Sequence, residues 1–235
     1  MNHLHPPAPE SQLATRVALL DAAERLFSQY GIEGSSVREI VKDAGTNLGA
    51  INYHFGSKDR LALEVFARRL EPVNRERIAR LDALEAMTAP GQLTLEKILE
   101  ALIRPVLEVD ENGARNCDDL MRLISRSFQE PNPEVKKFVE EQFAEVVQRF
   151  DAAILRVLPD LSAADLFWRM SFLHGALHHG LQTWLRFDQV PYAMLNPAAA
   201  KPDREGLIRR LIAFAAAGIS AGRVPTVGLP TSSAS

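Results

Sequence analysis

At 235 residues, with 46% hydrophobic and 24% charged side chains, the chain can bury one large core or two small ones, which excludes an extended, highly charged polypeptide. A formal net charge of −3 and an isoelectric point near 6.1 exclude a broadly basic protein that holds nucleic acid by field alone. Up to Arg80 there are 11 Lys and Arg against 10 Asp and Glu, and beyond it 16 against 20, so any DNA contact must come from local geometry.

No apolar run reaches the roughly 18 residues of a membrane span, and no charged-then-apolar leader with a cleavage site opens the chain. A soluble, cytoplasmic protein with no membrane partner is expected. The single Cys117 has no partner for an internal disulfide, which agrees with a reducing compartment, and it reads as a small buried residue. Helix formers dominate and no stretch alternates apolar with polar positions, so the expected fold is all-α.

Residues 1–10, MNHLHPPAPE, are Pro-rich without apolar periodicity and are expected to form a disordered tail. Over residues 11–30, Val17, Leu20, Ala23, Leu26 and Phe27 recur at three- and four-residue steps, the inner stripe of a helix that Gly31 ends. Ser36 with Glu39 is a capping box, and Val37, Ile40 and Val41 give the short helix after it one buried face. Gly45 stops that helix where a left-handed residue is needed. Thr46 or Asn47 caps the next, which turns Ile51 and Phe55 inward; Gly56 ends it and Ser57 caps a third helix from Lys58. Two short helices across a Gly-containing turn form a helix-turn-helix, the unit whose second helix enters the major groove. That second helix leaves Thr46, Asn47, Gly49, Asn52, Tyr53 and His54 unburied. Asn pairs bidentately with adenine, while Thr, Tyr and helix-terminal N–H groups suit phosphate oxygens. Lys58, beside free N–H groups, suits a phosphate as well. Taken alone, the pattern fits a polar helical hairpin as well as it fits a DNA reader.

Helical periodicity continues over residues 58–86, and Pro72 is expected to bend or break it. Arg75, Glu76, Arg77 and Arg80 read as a solvated face. Further helices are expected over residues 93–109, 117–128, 135–158, 162–187 and 204–222, separated by the turns TAPG, DENG and EPNP and by a Pro-punctuated loop at 188–203. Residues 223–235 are expected to be a disordered tail. The helix over 162–187 carries apolar side chains around much of its girth, including Phe167, Trp168 and Phe172, and must be covered on more than one side.

From Val17 to Phe66, through LLDAAERLFSQYGIEGSSVREIVKDAG and the signature NYHFGSKDRL, the chain resembles the amino-terminal domain of the TetR family of bacterial transcriptional regulators. The resemblance covers about the first quarter of the chain closely. It implies that the helix holding NYH is a recognition helix and that the lysine after the YHF turn touches phosphate. By position, it implicates Ser36, Arg38, Thr46, Asn47, Gly49, Asn52, Tyr53, His54 and Lys58 in operator binding. Leu48 stands where many members are polar and is expected at a thymine methyl or sugar; Asn52 replaces a frequent second aromatic, so base preference does not carry over.

The resemblance implies an amino-terminal reading domain at residues 11–57, and an effector-binding and dimerisation domain at 58–222 that pairs two copies through its last two helices. Met121, Arg122, Phe128, Phe143, Phe150, Trp168, Phe172 and His174 are the candidate lining of an effector pocket, with Arg126 a further cationic anchor, although the same residues describe a filled core. His174 and His178 share a helix face beside His179, but no third ligand is evident, so they read as core or interface imidazoles and no metal or cofactor is expected. No phosphate loop, nucleophile elbow or di-iron pattern marks an enzyme. The expected function is a sequence-specific, homodimeric repressor released from operator DNA by a small hydrophobic effector. The alternatives are a dimeric DNA-binding protein without effector, and a helical small-molecule or metal-binding protein with a vestigial helix-turn-helix.

Overall fold

The computed structural model describes residues 9–89, 91–108, 122–123, 132–196, 198 and 200–222. Every regular element among them is helical, and none of these helices is long and apolar enough to cross a membrane. Cys117, Met121, Arg126, Phe128, residues 1–8 and residues 223–235 lie outside the described residues, while Pro9 and Glu10, expected in the amino-terminal tail, begin the first helix.

Three helices make the amino-terminal unit: α1 (Pro9–Tyr30), α2 (Val37–Asp43) and α3 (Leu48–His54). Leu19, Leu20, Ala22, Ala23 and Phe27 of α1 are buried, whereas Val17 is exposed. Leu13 is exposed too, so the first turns of α1 extend past its packing partners, and the buried stripe begins later than the spacing predicts. Ile40 and Val41 of α2, Ile51 of α3 and the following Phe55 close over this stripe.

The helix α4 (Lys58–Met87) then runs unbroken for 30 residues, about 45 Å at the usual rise. Pro72 does not end it. The residue faces solvent, where the carbonyl that loses its N–H partner can be hydrated. One long stripe of α4 is buried: Leu61, Ala62, Val65, Phe66, Arg69, Leu70, Val73, Asn74, Arg77 and Leu81. Its first half packs on α1 and its second half on α5 (Leu95–Glu108) and α6 (Pro133–Val157). The last long helices, α7 (Ala163–Leu185) and α9 (Arg204–Ser220), pack on each other, and α9 also packs on α5; the short α8 (Pro191–Leu195) lies in the connection between them.

Polar side chains tie α4 to each neighbour. Glu24 of α1 accepts from Arg68 Nη2 at 2.6 Å and forms an ion pair with Arg69, its Oε1 lying 2.8 Å from Nε, with Asp21 also on Arg68. Asn74 donates to the Gln142 carbonyl of α6, and Arg77 to the Leu102 carbonyl of α5. Arg77 is therefore not part of a solvated face: it is buried, on the same stripe as Val73 and Leu81. Of the charged run, Arg75 and Glu76 are exposed, and Arg80 is held by Glu76 and Glu108.

Glu24 and Arg69 are both buried, and removing one partner of such a pair leaves an uncompensated charge inside. Glu24→Ala should lower the unfolding free energy by about 3–5 kcal/mol in urea titration, far more than Glu76→Ala at an exposed pair. Equal, small losses for both would show that the buried pair does not hold α1 to α4.

Candidate nucleic-acid interface

The turn between α2 and α3 is built by caps. Ser36 Oγ accepts from the Glu39 N–H at 3.2 Å, while Glu39 Oε2 accepts from the Ser36 N–H at 2.9 Å and from Oγ at 2.7 Å. These bonds from Ser36 hold the Glu39 carboxyl below its ordinary pKa. Gly45 turns the chain with φ at 65°, and the Thr46 N–H reaches back to the Val41 carbonyl at 2.8 Å. Asn47, not Thr46, caps α3, its Oδ1 accepting from the Ala50 N–H at 3.2 Å. At the other end, Gly56 takes φ of 80° and Ser57 caps α4 through the Arg60 N–H.

These caps decide which atoms α3 can present. Leu48, Gly49, Asn52 and Tyr53 stand exposed along it, Tyr53 with 70% of its surface free. Asn47 is exposed, with its amide nitrogen left over from the cap. His54 is half-buried and meets the Tyr53 ring edge-on at 4.9 Å. Arg38 on α2 is exposed, with no ion-pair partner among the described residues. Ser36 is exposed as well, but its hydroxyl is occupied by the capping box. Thr46 is half-buried and its Oγ1 is enclosed without a hydrogen-bond partner, so the hydroxyl does not face solvent. Lys58 donates from Nζ to the Ile32 carbonyl at 2.9 Å and to the Ser35 carbonyl at 3.2 Å, which ties the loop before α2 to the start of α4. An ammonium group has three hydrogens, so one remains for another acceptor. Arg16, near the start of α1, is taken up by Glu64 and by the face of Phe55 at 5.4 Å.

The residues expected around an effector are spread over the carboxy-terminal helices. Phe150 is buried on α6, and Phe143 and Arg122 are half-buried. Trp168 and Phe172 turn outward on α7, 60% and 67% exposed, Trp168 meeting Phe167 edge-on and Phe172 at a tilt. His174 keeps accessible surface yet has enough protein around it that desolvation, with the nearby Arg77 charge, lowers its pKa. His178 lies one turn on, and among the described residues no cluster of three His, Cys, Asp or Glu is placed to hold a metal. A groove of about 560 Å³ lies between α4 and α6, and its rim carries Glu71, Asp82, Glu141 and Glu145 against Arg75. Spacing could have revealed Arg77 and Asn74, which fall in register with Leu70, Val73 and Leu81, but the run of charge around them masks that register.

Family comparison agrees with this architecture. The sequence pattern described as "Bacterial regulatory proteins, tetR family" matches residues 19–65, and that of the "Tetracyclin repressor-like, C-terminal domain" matches residues 100–218, half of the chain. The chain belongs to the TetR family. LmrA, an HTH-type transcriptional regulator of Bacillus subtilis, is 38% identical over 79 residues, which is 33% of this chain and 40% of LmrA. The regulator AcrR of Shigella flexneri is 48% identical over 52 residues, 22% of this chain and 24% of AcrR. The matched part thus spans less than half the length of these relatives. Among solved structures, FadR of Bacillus subtilis, in complex with stearoyl-CoA, superposes with a TM-score of 0.59 at 16% identity over 86% of this chain and 98% of FadR, a likeness of fold.

Gly45 has open space where a side chain would project, so a substitution there meets only backbone strain. Gly45→Ala should cost about 1–2 kcal/mol in thermal unfolding, and Gly45→Asn less. A cost for alanine below that for asparagine would contradict the left-handed turn between α2 and α3.

Proposed function

We propose that this chain is a homodimeric transcriptional regulator that reads a palindromic operator with α3 and is released from it by a small effector. The supporting observation is that α3 is held by caps and by Ile51 at its back while Asn47, Leu48, Gly49, Asn52 and Tyr53 remain free at its front. In this reading Asn52 addresses a base edge, and Leu48 a thymine methyl or sugar. Arg38, Asn47, Tyr53, His54 and Gly49 lie along the phosphates, with Lys58 contributing its remaining hydrogen, while Ser36 and Thr46, expected there, turn their hydroxyls into the capping box and the turn. Residues 11–57 form the reading domain and residues 58–222 the domain that pairs and responds. The activity is one of binding and needs no catalytic group, and its place is the cytoplasm, where the operator is.

Pairing has its own support. Phe167, Trp168 and Phe172 on α7 and Phe214 on α9 are large apolar side chains left exposed, and Gly175 and Gly218 beside them have open space around them. A second copy approaching by a two-fold axis would cover these aromatics, and the glycines would let the helices close up. Two recognition helices one turn of DNA apart then double the contact set.

Release requires an effector that binds better to the conformation whose recognition helices are wrongly spaced. Continuous from the reading domain into the helices that surround His174, α4 can transmit that choice as a rod. FadR of Bacillus subtilis was solved holding stearoyl-CoA, and from it we carry over only the expectation of a hydrophobic effector.

Fluorescence anisotropy with the DNA flanking the chain's own coding region, against a scrambled fragment and over a range of salt, tests this reading. The native fragment should be preferred, with affinity falling steeply in salt. Arg38→Ala should weaken binding to all sequences and reduce the salt slope by about 1, whereas Asn52→Ala should change sequence preference. Phe172→Glu should give monomers in sedimentation and lose the operator. Equal, weak binding to both fragments that none of these variants alters would contradict the proposal.

A further inference from the structure

A row of ring contacts leads inward from the exposed end of α3. Tyr53 meets His54 edge-on with centroids 4.9 Å apart, and His54 meets Phe55 at 6.1 Å and a tilt of 55°. Both separations lie within the range of aromatic pairs. Phe55, 5% exposed, is in turn covered by the guanidinium of Arg16, whose Cζ stands 5.4 Å from the ring centroid. The same guanidinium donates from Nη2 to Glu64 Oε2 on α4. An exposed reading side chain is thus joined, contact by contact, to α1 and α4.

Residue type explains why an arginine serves here. Its planar group can lie on a ring face and keep N–H groups at its edge for a carboxylate, which the point charge of a lysine does less well. Among the ties that α1 makes, Arg25 holds Asp43 of α2 and Glu24 holds Arg68 and Arg69 of α4, whereas Arg16 reaches the chain at the end of α3. The side chains of Arg16 and Glu64 are 40% and 37% exposed, and a pair so open to solvent contributes little to stability. Removing it should therefore leave the fold in place while freeing the ring. Phosphate contacts orient a DNA reader and base contacts specify, so a shift of Tyr53 and His54 along the phosphates would carry Asn52 off its base edge. Arg16 itself is engaged by a ring and a carboxylate, and a phosphate could take it only by breaking the pair with Glu64.

We propose that Arg16 is a positioning residue for the reading surface: held by Glu64, it braces Phe55 and so fixes Tyr53 and His54 where they meet the duplex. The proposal rests on the operator-reading function above and adds to it a residue that acts without touching DNA. Because Glu64 belongs to α4, the brace also ties the reading surface to the helix that leads into the carboxy-terminal domain.

Two measurements on the full-length protein test it. In the free protein, NMR with ring-labelled Tyr and His should show the Tyr53 and His54 resonances moving in Arg16→Met and moving less in Arg16→Lys. Arg25→Met, which breaks the tie to α2, should leave both in place. In anisotropy titrations, Arg16→Met should lower the preference for the native over the scrambled fragment at least about fivefold, with the salt slope kept. Glu64→Gln should reproduce part of that loss, and Arg16→Lys should recover part of it. The Tm should stay near that of the parent in every variant. Unmoved rings in Arg16→Met, or equal movement in Arg25→Met, would overturn the assignment. A Tm that falls while the fragment preference is intact would make the contact merely structural and overturn it too. So would equal weakening on both fragments with a salt slope smaller by about 1, the mark of a direct phosphate contact, or tighter binding by Glu64→Gln. Moved rings in a protein that prefers neither fragment would keep the brace and remove the regulator. A native preference untouched by Arg16→Met would keep the regulator and remove the brace.

Discussion

A polar side chain buried between helices must meet a partner on its neighbour, and three residues of α4's buried stripe do so, each on a different helix. Arg69 reaches Glu24 on α1, Asn74 reaches the Gln142 carbonyl on α6, and Arg77 reaches the Leu102 carbonyl on α5. Apolar contacts alone would let a helix of this length slide or rotate with little penalty. These pairings fix its register against three neighbours at once. The reading unit and the carboxy-terminal helices are thereby referred to one axis, which gives a change in how α5 or α6 sits on α4 a route towards α3 through α1 and the start of α4.

The charge distribution fits a protein whose affinity is made locally. With near balance up to Arg80 and an acidic excess beyond, the molecule has no general attraction for DNA. What it offers is a capped, seven-residue helix with Asn, Tyr and Gly at its front and an exposed Arg38 alongside. Such a surface is small, and doubling it is the direct way to useful affinity. In the proposed dimer the exposed aromatics of α7 and α9 would supply the means, since large apolar side chains are seldom left to solvent in such number.

Much of the fold was legible in the sequence where local chemistry decides it. The capping box at Ser36 and Glu39, the left-handed Gly45 and Gly56, and the caps at Ser57 and Ser162 stand where residue type demands them. What was not legible depended on which way a residue faces. Pro72 was expected to bend or break α4; it does not break it, because it lies on the solvent side of a helix held from both ends by packing, and tertiary contact overrides its cost. Arg77 was read by its charged neighbours, although its spacing from Val73 and Leu81 puts it inside. Lys58 was read as a phosphate contact, and its second task, closing the loop before α2 through the Ile32 and Ser35 carbonyls, depends on a tertiary approach that spacing does not show. Trp168 and Phe172 could be assigned to a pocket or to an interface by composition alone, and only their position on the outer side of α7 separates the two.

The claim on which the account turns is that two copies place their α3 helices in successive major grooves on one side of the duplex. Hydroxyl-radical footprinting on the DNA flanking the coding region measures this directly. The account predicts two protected patches about one helical turn apart on the same face, both lost together in Phe172→Glu. A single patch, or two that survive when the subunits are separated, would contradict it.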